Sequence, residues 1–192
     1  MDYYQSCPQC GAPWGYIQCD HCATLLLMDT KKAAHPCLSC LLYTERTATL
    51  IKTYKDRGEQ RLSQIFAQIL ARIAPPSWLN WATCLTYVTA SKSAQRRRGF
   101  DHMELIARDL AALWELPCLQ LLDNPRAKDQ RTLGRKERIS NIGGRFKATK
   151  PLHNHTAIVI DDVFTTGSTM EDACSALEQQ GCMCRSLVIA RV

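Results

Sequence analysis

The sequence predicts an α/β chain built on a mostly parallel sheet, with a small cysteine-rich module in front of it. Three observations carry that expectation. Short runs rich in β-branched residues alternate with helix-length stretches whose apolar positions recur every three to four residues. One run, 157–160, is apolar at every position, as a strand covered on both faces requires. The first 40 residues lack such periodicity yet hold six of the eleven cysteines. With 192 residues, 46% of them apolar, the chain suffices for one domain of ordinary size plus an appendage. No apolar stretch is long enough to span a bilayer, and Met1-Asp2-Tyr3-Tyr4 lacks the basic-then-apolar pattern of an export signal. A cytoplasmic protein without membrane insertion is therefore expected.

The elements follow in order. A short helix is expected over 47–57, ended near Gly58. Leu62, Ile65, Phe66, Ile69, Leu70 and Ile73 recur at helical spacing until Pro75-Pro76 stops the pattern. Residues 83–88 read as a strand. Met103, Ile106, Ala107, Leu110, Leu113 and Trp114 form a second amphipathic helix, closed before Pro117. Residues 118–122 are a short strand candidate, and 123–145 is a charged, aperiodic stretch expected to form a long loop. A strand at 157–160, a helix at 168–180 followed by Gly181, and a last strand at 185–190 complete the series.

Six cysteines form three C-x2-C pairs, Cys7/Cys10, Cys19/Cys22 and Cys37/Cys40. In a reducing compartment such pairs read as zinc ligands rather than disulfides. Cys7, Cys10, Cys19 and Cys22 supply four thiolates, enough for one closed tetrahedral structural site. Cys37 and Cys40 either substitute for one of those pairs or help build a second site with His21 or His35. The expected division is a zinc module over 1–42 and an α/β domain over 43–192.

Net charge is +6, and residues 92–147 alone, with 13 basic and 7 acidic side chains, carry that surplus. This segment is expected to meet an anion. The chemistry-bearing stretch is Ala157-Ile158-Val159-Ile160-Asp161-Asp162-Val163-Phe164-Thr165-Thr166-Gly167-Ser168-Thr169. In an open α/β sheet, ligands bind at the carboxyl ends of strands, and free N–H groups at the start of the next helix suit a phosphate. Gly167 allows close approach of the main chain, and Thr165, Thr166, Ser168 and Thr169 add hydroxyls. Carboxylates beside a phosphate need another task, and accepting hydrogen bonds from sugar hydroxyls is a suitable one. The pattern describes a ribose 5-phosphate site. Neither G-x4-G-K-[ST] nor G-x-G-x-x-G occurs, which disfavours P-loop and dinucleotide folds.

This stretch resembles the phosphoribosyl pyrophosphate signature of type I phosphoribosyltransferases. Arg96-Arg97-Arg98-Gly99-Phe100 and the series Gln130, Leu133, Arg138, Asn141, Phe146 extend the resemblance to the ComF/GntX group, as do the N-terminal cysteine pairs. The resemblance implies the type I phosphoribosyltransferase fold, with Asp161 and Asp162 on the ribose hydroxyls, Thr165, Thr166, Gly167, Ser168 and Thr169 around the 5-phosphate, and Val163 and Phe164 also in the phosphoribosyl site. It places Lys92, Arg96, Arg97, Arg98 and Arg138 near a pyrophosphate or a DNA backbone, and makes 123–145 a mobile hood. It also implies Mg²⁺ with phosphoribosyl pyrophosphate, structural Zn²⁺, single-stranded DNA and the DNA-import ATPase of natural competence as partners. Transferase turnover is left open, with an adaptor or DNA-binding role as the alternative. Asp101-His102 departs from the group's pattern: a carboxylate there suits a diphosphate only if it faces a metal or an arginine. His102 reads equally as a surface residue at a helix start, so no general base stands out.

Overall fold

The computed structural model describes residues 37–124 and 145–192. Four parallel strands form the sheet in the order β1-β6-β5-β2: β1 is Cys37–Leu42, β2 is Cys84–Tyr87, β5 is Thr156–Phe164 and β6 is Met183–Arg191. A two-residue antiparallel pair, β3 (Leu122–Asp123) with β4 (Lys147–Ala148), stands apart. The predicted α/β class and parallel sheet are observed, in an arrangement that fits a type I phosphoribosyltransferase-like fold. No described helix is long and apolar enough to cross a membrane.

Side-chain alternation along β5 divides the core. Ile158 and Ile160 face a layer made by α1 (Glu45–Arg57), α2 (Leu62–Ile73) and α5 (His102–Trp114), where Phe66, Leu70, Ile106 and Leu110 are fully buried. Ala157 and Val159 face α6 (Ser168–Glu178), packing with Ala173, Cys174 and Leu177. Each large apolar side chain so covered contributes about 1.5–3 kcal/mol. Covering both faces explains why the strand reads as unbroken apolar sequence.

Helix ends follow local chemistry. Thr44 accepts from the Thr47 N–H at 3.3 Å to open α1, and Gly58, at φ +72°, closes it in the left-handed region. Two differences from expectation fall at prolines and hydroxyls. Pro75-Pro76 stops α2 but also starts α3, Pro76–Trp81, because proline suits the first helical position. The expected strand at 118–122 shrinks to one bridge between Leu85 and Cys118 before β3, since the Leu121 N–H turns to the Thr86 hydroxyl at 3.3 Å.

Candidate functional site

β5 carries Asp161 and Asp162 at the carboxyl end of the sheet, and alternation sends them to opposite faces. Asp161 lies on the α6 side, lining the turn with Val163, Phe164, Thr165, Gly167 and Thr169. Gly167 opens α6 at φ +85°, without a side-chain cap. The Ser168 N–H meets the Thr166 hydroxyl at 3.5 Å. Thr165, Thr166 and Ser168 are exposed, and Val163, Phe164 and Thr169 half-buried. The Phe164 ring folds under the turn so closely that a Cβ on Gly167 would stand 2.6 Å from its Cζ, so glycine is needed there for space as well as for φ. The cleft between them is about 10 Å³, room for roughly one water. An incoming phosphate must meet the outer, exposed side of the turn or displace Phe164.

Burial pushes the Asp161 carboxyl up to about 7, against the downward pull of Lys55 and Arg145. Its Oδ1 accepts from the Asp162 N–H at 2.8 Å. A carboxyl poised near neutrality can accept from a sugar hydroxyl when ionised and donate when protonated.

Asp162 enters a different network. Its Oδ2 accepts from His102 Nε2 at 2.8 Å and pairs with the Lys55 ammonium from the last turn of α1. Burial, with Lys55 and Arg98 adding to it, holds His102 far below its usual pKa, so the imidazole is neutral. Arg98 Nη1 lies 3.4 Å from His102 Nδ1, and the two contacts together assign the Nε2–H tautomer. Tyr54 donates its hydroxyl to the His102 carbonyl, tying α1 to the start of α5. His102 is thus an interior residue, not a surface one, and neither it nor Lys55 was foreseen beside the acids. Burial also draws the Lys55 ammonium down to about 8; Asp161 opposes that shift and Arg98 adds to it.

The arginine run is a helix: α4, Lys92–Arg98, begins at a Ser91 cap and ends at Gly99, φ +82°. Lys92, Arg96 and Arg97 are exposed, while Arg98 turns inward. Among the described residues Asp101 is held by main-chain and amide donors. One oxygen caps α5 through the Met103 and Glu104 N–H groups at 3.0 and 3.4 Å. The other accepts from the Ala90 N–H and Gln95 Nε2, both at 2.9 Å. Its departure from the ComF/GntX pattern that the sequence resembles therefore has a local structural reason: it cinches both ends of the α4 excursion.

Cys7, Cys10, Cys19, Cys22 and Arg138, with nearly all of the expected hood, lie outside the described residues. Cys37 and Cys40 are buried in β1, three positions apart, and pack into different layers of the core. Burial raises both thiols, Cys37 to about 12. In β1 the Cys37 and Cys40 side chains point to opposite faces, and the sheet begins six residues before the boundary drawn at 42/43. No cluster of three or more metal-ligating side chains occurs among the described residues.

No protein-family model matches the chain. It is similar to the DNA utilization protein YhgH of Salmonella typhi, 25% identical over 94% of this chain and 84% of that protein. It is also similar to the same-named protein of Escherichia coli K12, 23% identical over 94% and 84%. The competence protein ComFC of Bacillus subtilis is 23% identical over 91% of this chain and 72% of its own length.

Proposed function

We propose, from the ComF-family identity that this whole-chain similarity supports, that the chain binds phosphoribosyl pyrophosphate with Mg²⁺ and acts in the uptake or utilization of DNA. The relatives' names support the DNA role, and one feature carries the ligand. A carboxyl at the end of a central parallel strand faces a hydroxyl-bearing turn that opens an uncapped helix. In this reading the amides and hydroxyls of 165–169 hold the 5-phosphate, and Asp161 takes a ribose hydroxyl. Mg²⁺, a hard cation that keeps oxygen ligands, arrives with the diphosphate oxygens. Zn²⁺ is proposed for the thiolates of Cys7, Cys10, Cys19 and Cys22, in a structural role.

The test is calorimetric titration of the full chain with phosphoribosyl pyrophosphate and Mg²⁺, with zinc measured on the same sample. Asp161→Asn is expected to weaken binding by about tenfold, the loss of one charge-assisted hydrogen bond. Affinity that ignores this substitution removes Asp161 from the site.

A second reading, a phosphate-backbone surface for single-stranded DNA, is favoured by the exposure of Lys92, Arg96 and Arg97 on one short helix. It predicts affinity falling steeply with salt, and a flatter salt slope when these three charges are removed.

A further inference from the structure

The two acids at the end of β5 are not equally available to a sugar. Asp161 lines the cleft under the hydroxyl turn with Thr165, Gly167 and Thr169, and Asp162 is not part of that lining. Asp162 Oδ2 instead accepts from His102 Nε2 at 2.8 Å and pairs with the Lys55 ammonium. The side chains of this ion pair are 20% exposed at Lys55 and 13% at Asp162. Tyr54, the residue before Lys55 on α1, donates its hydroxyl to the His102 carbonyl and so ties the two donors together. The vicinal hydroxyls of a furanose stand side by side, so two carboxylates take both only by approaching from one side. Strand alternation sends these two carboxylates to opposite faces. Turning Asp162 toward the sugar would leave a largely buried ammonium without its counter-ion. That costs roughly several hundredfold in an equilibrium constant, whereas one hydroxyl bonded to a carboxylate returns roughly ten- to a hundredfold. The ion pair wins.

We propose that this site reads one sugar hydroxyl, not two, and takes 2-deoxyribose 5-phosphate about as tightly as ribose 5-phosphate. The proposal rests on the ribose 5-phosphate reading of the turn and narrows it to a substrate class: 5-phosphorylated pentoses with or without the 2-hydroxyl. Asp161 takes the 3-hydroxyl, which both sugars carry. That hydroxyl stands one carbon nearer the 5-phosphate than the 2-hydroxyl does, and Asp161 shares its cleft with the turn. A site built to hold a hydroxyl rejects the analogue lacking it, because the site's own polar group is then left unpaired. Here the partners of Asp162 lie inside the protein, so a missing 2-hydroxyl strands nothing.

The experiment titrates the full chain calorimetrically with ribose 5-phosphate and with 2-deoxyribose 5-phosphate, at one pH and salt concentration. The two dissociation constants are expected to agree within about threefold. Asp161→Asn should weaken both sugars by the same factor, about tenfold. Wild-type preference for ribose 5-phosphate by about tenfold or more overturns the proposal, because it marks a second hydroxyl held by the protein. An Asp161→Asn variant that weakens ribose 5-phosphate alone also overturns it, by placing Asp161 on the 2-hydroxyl. Wild-type protein that binds neither sugar phosphate removes the sugar-phosphate reading of the turn and this narrowing with it. A strong ribose preference removes the narrowing only.

Discussion

Asp161 faces a turn that is largely open to solvent, whereas its neighbour Asp162 is held by side chains from two helices. Asp161 is buried, and its Oδ1 accepts from the N–H of the following residue. Asp162 is instead the joint between β5, α1 and α5. A motif written as two adjacent acids therefore holds two groups with different tasks, and the strand's two-residue period separates them.

Substitution should break this comparison first on the Asp162 side. Asp162→Ala strips the counter-ion from a largely buried lysine and should cost about 4 kcal/mol by denaturant unfolding. Asp161→Ala should cost much less, and equal losses at the two positions would erase the distinction. Asp101→Ala removes a helix cap and leaves the half-buried donors of Ala90 and Gln95 without this acceptor, at about 2 kcal/mol. Gly167→Ala works on the other side, forcing a Cβ into the left-handed region and onto the Phe164 ring, at about 2 kcal/mol. It should disturb sugar-phosphate binding more than pyrophosphate binding.

A further effect is in the pH profile. The Asp161 carboxyl is raised from 3.8 to about 7, so the folded chain binds the extra proton between those values. Its contribution to stability is whole below pH 3.8 and is lost as pH rises through about 7. Asp161→Asn should flatten stability against pH across that window, measured by urea midpoints. A profile that keeps its slope places the titrating group elsewhere.

The strand-turn-helix stretch from Thr156 onward was legible in the sequence because its signals are local: an unbroken apolar run, adjacent acids, then hydroxyls and a glycine. The main helices were legible from apolar spacing and from Gly58 and Pro75. Lys55 and His102 were not, because they reach Asp162 from elements far away in sequence, and nothing near either residue names its partner. The placing of Cys37 and Cys40 in a strand was not legible for a related reason. Spacing suited to a metal knuckle is also compatible with two thiols on opposite faces of an edge strand, and only the pairing with β6 separates the two. Asp101 looked misplaced near a diphosphate until its four donors came into view.

Those four donors have a consequence for whatever meets the arginine helix. The backbone from Ala90 to Asp101 is closed on itself by a single carboxylate, so α4 stands as a stiff peg rather than a tether. A strand of phosphates laid against Lys92, Arg96 and Arg97 would still restrict their side chains, at up to about 2 kcal/mol each, but would have no loop to order. Charge on this surface is offered with its main-chain entropy already lost during folding.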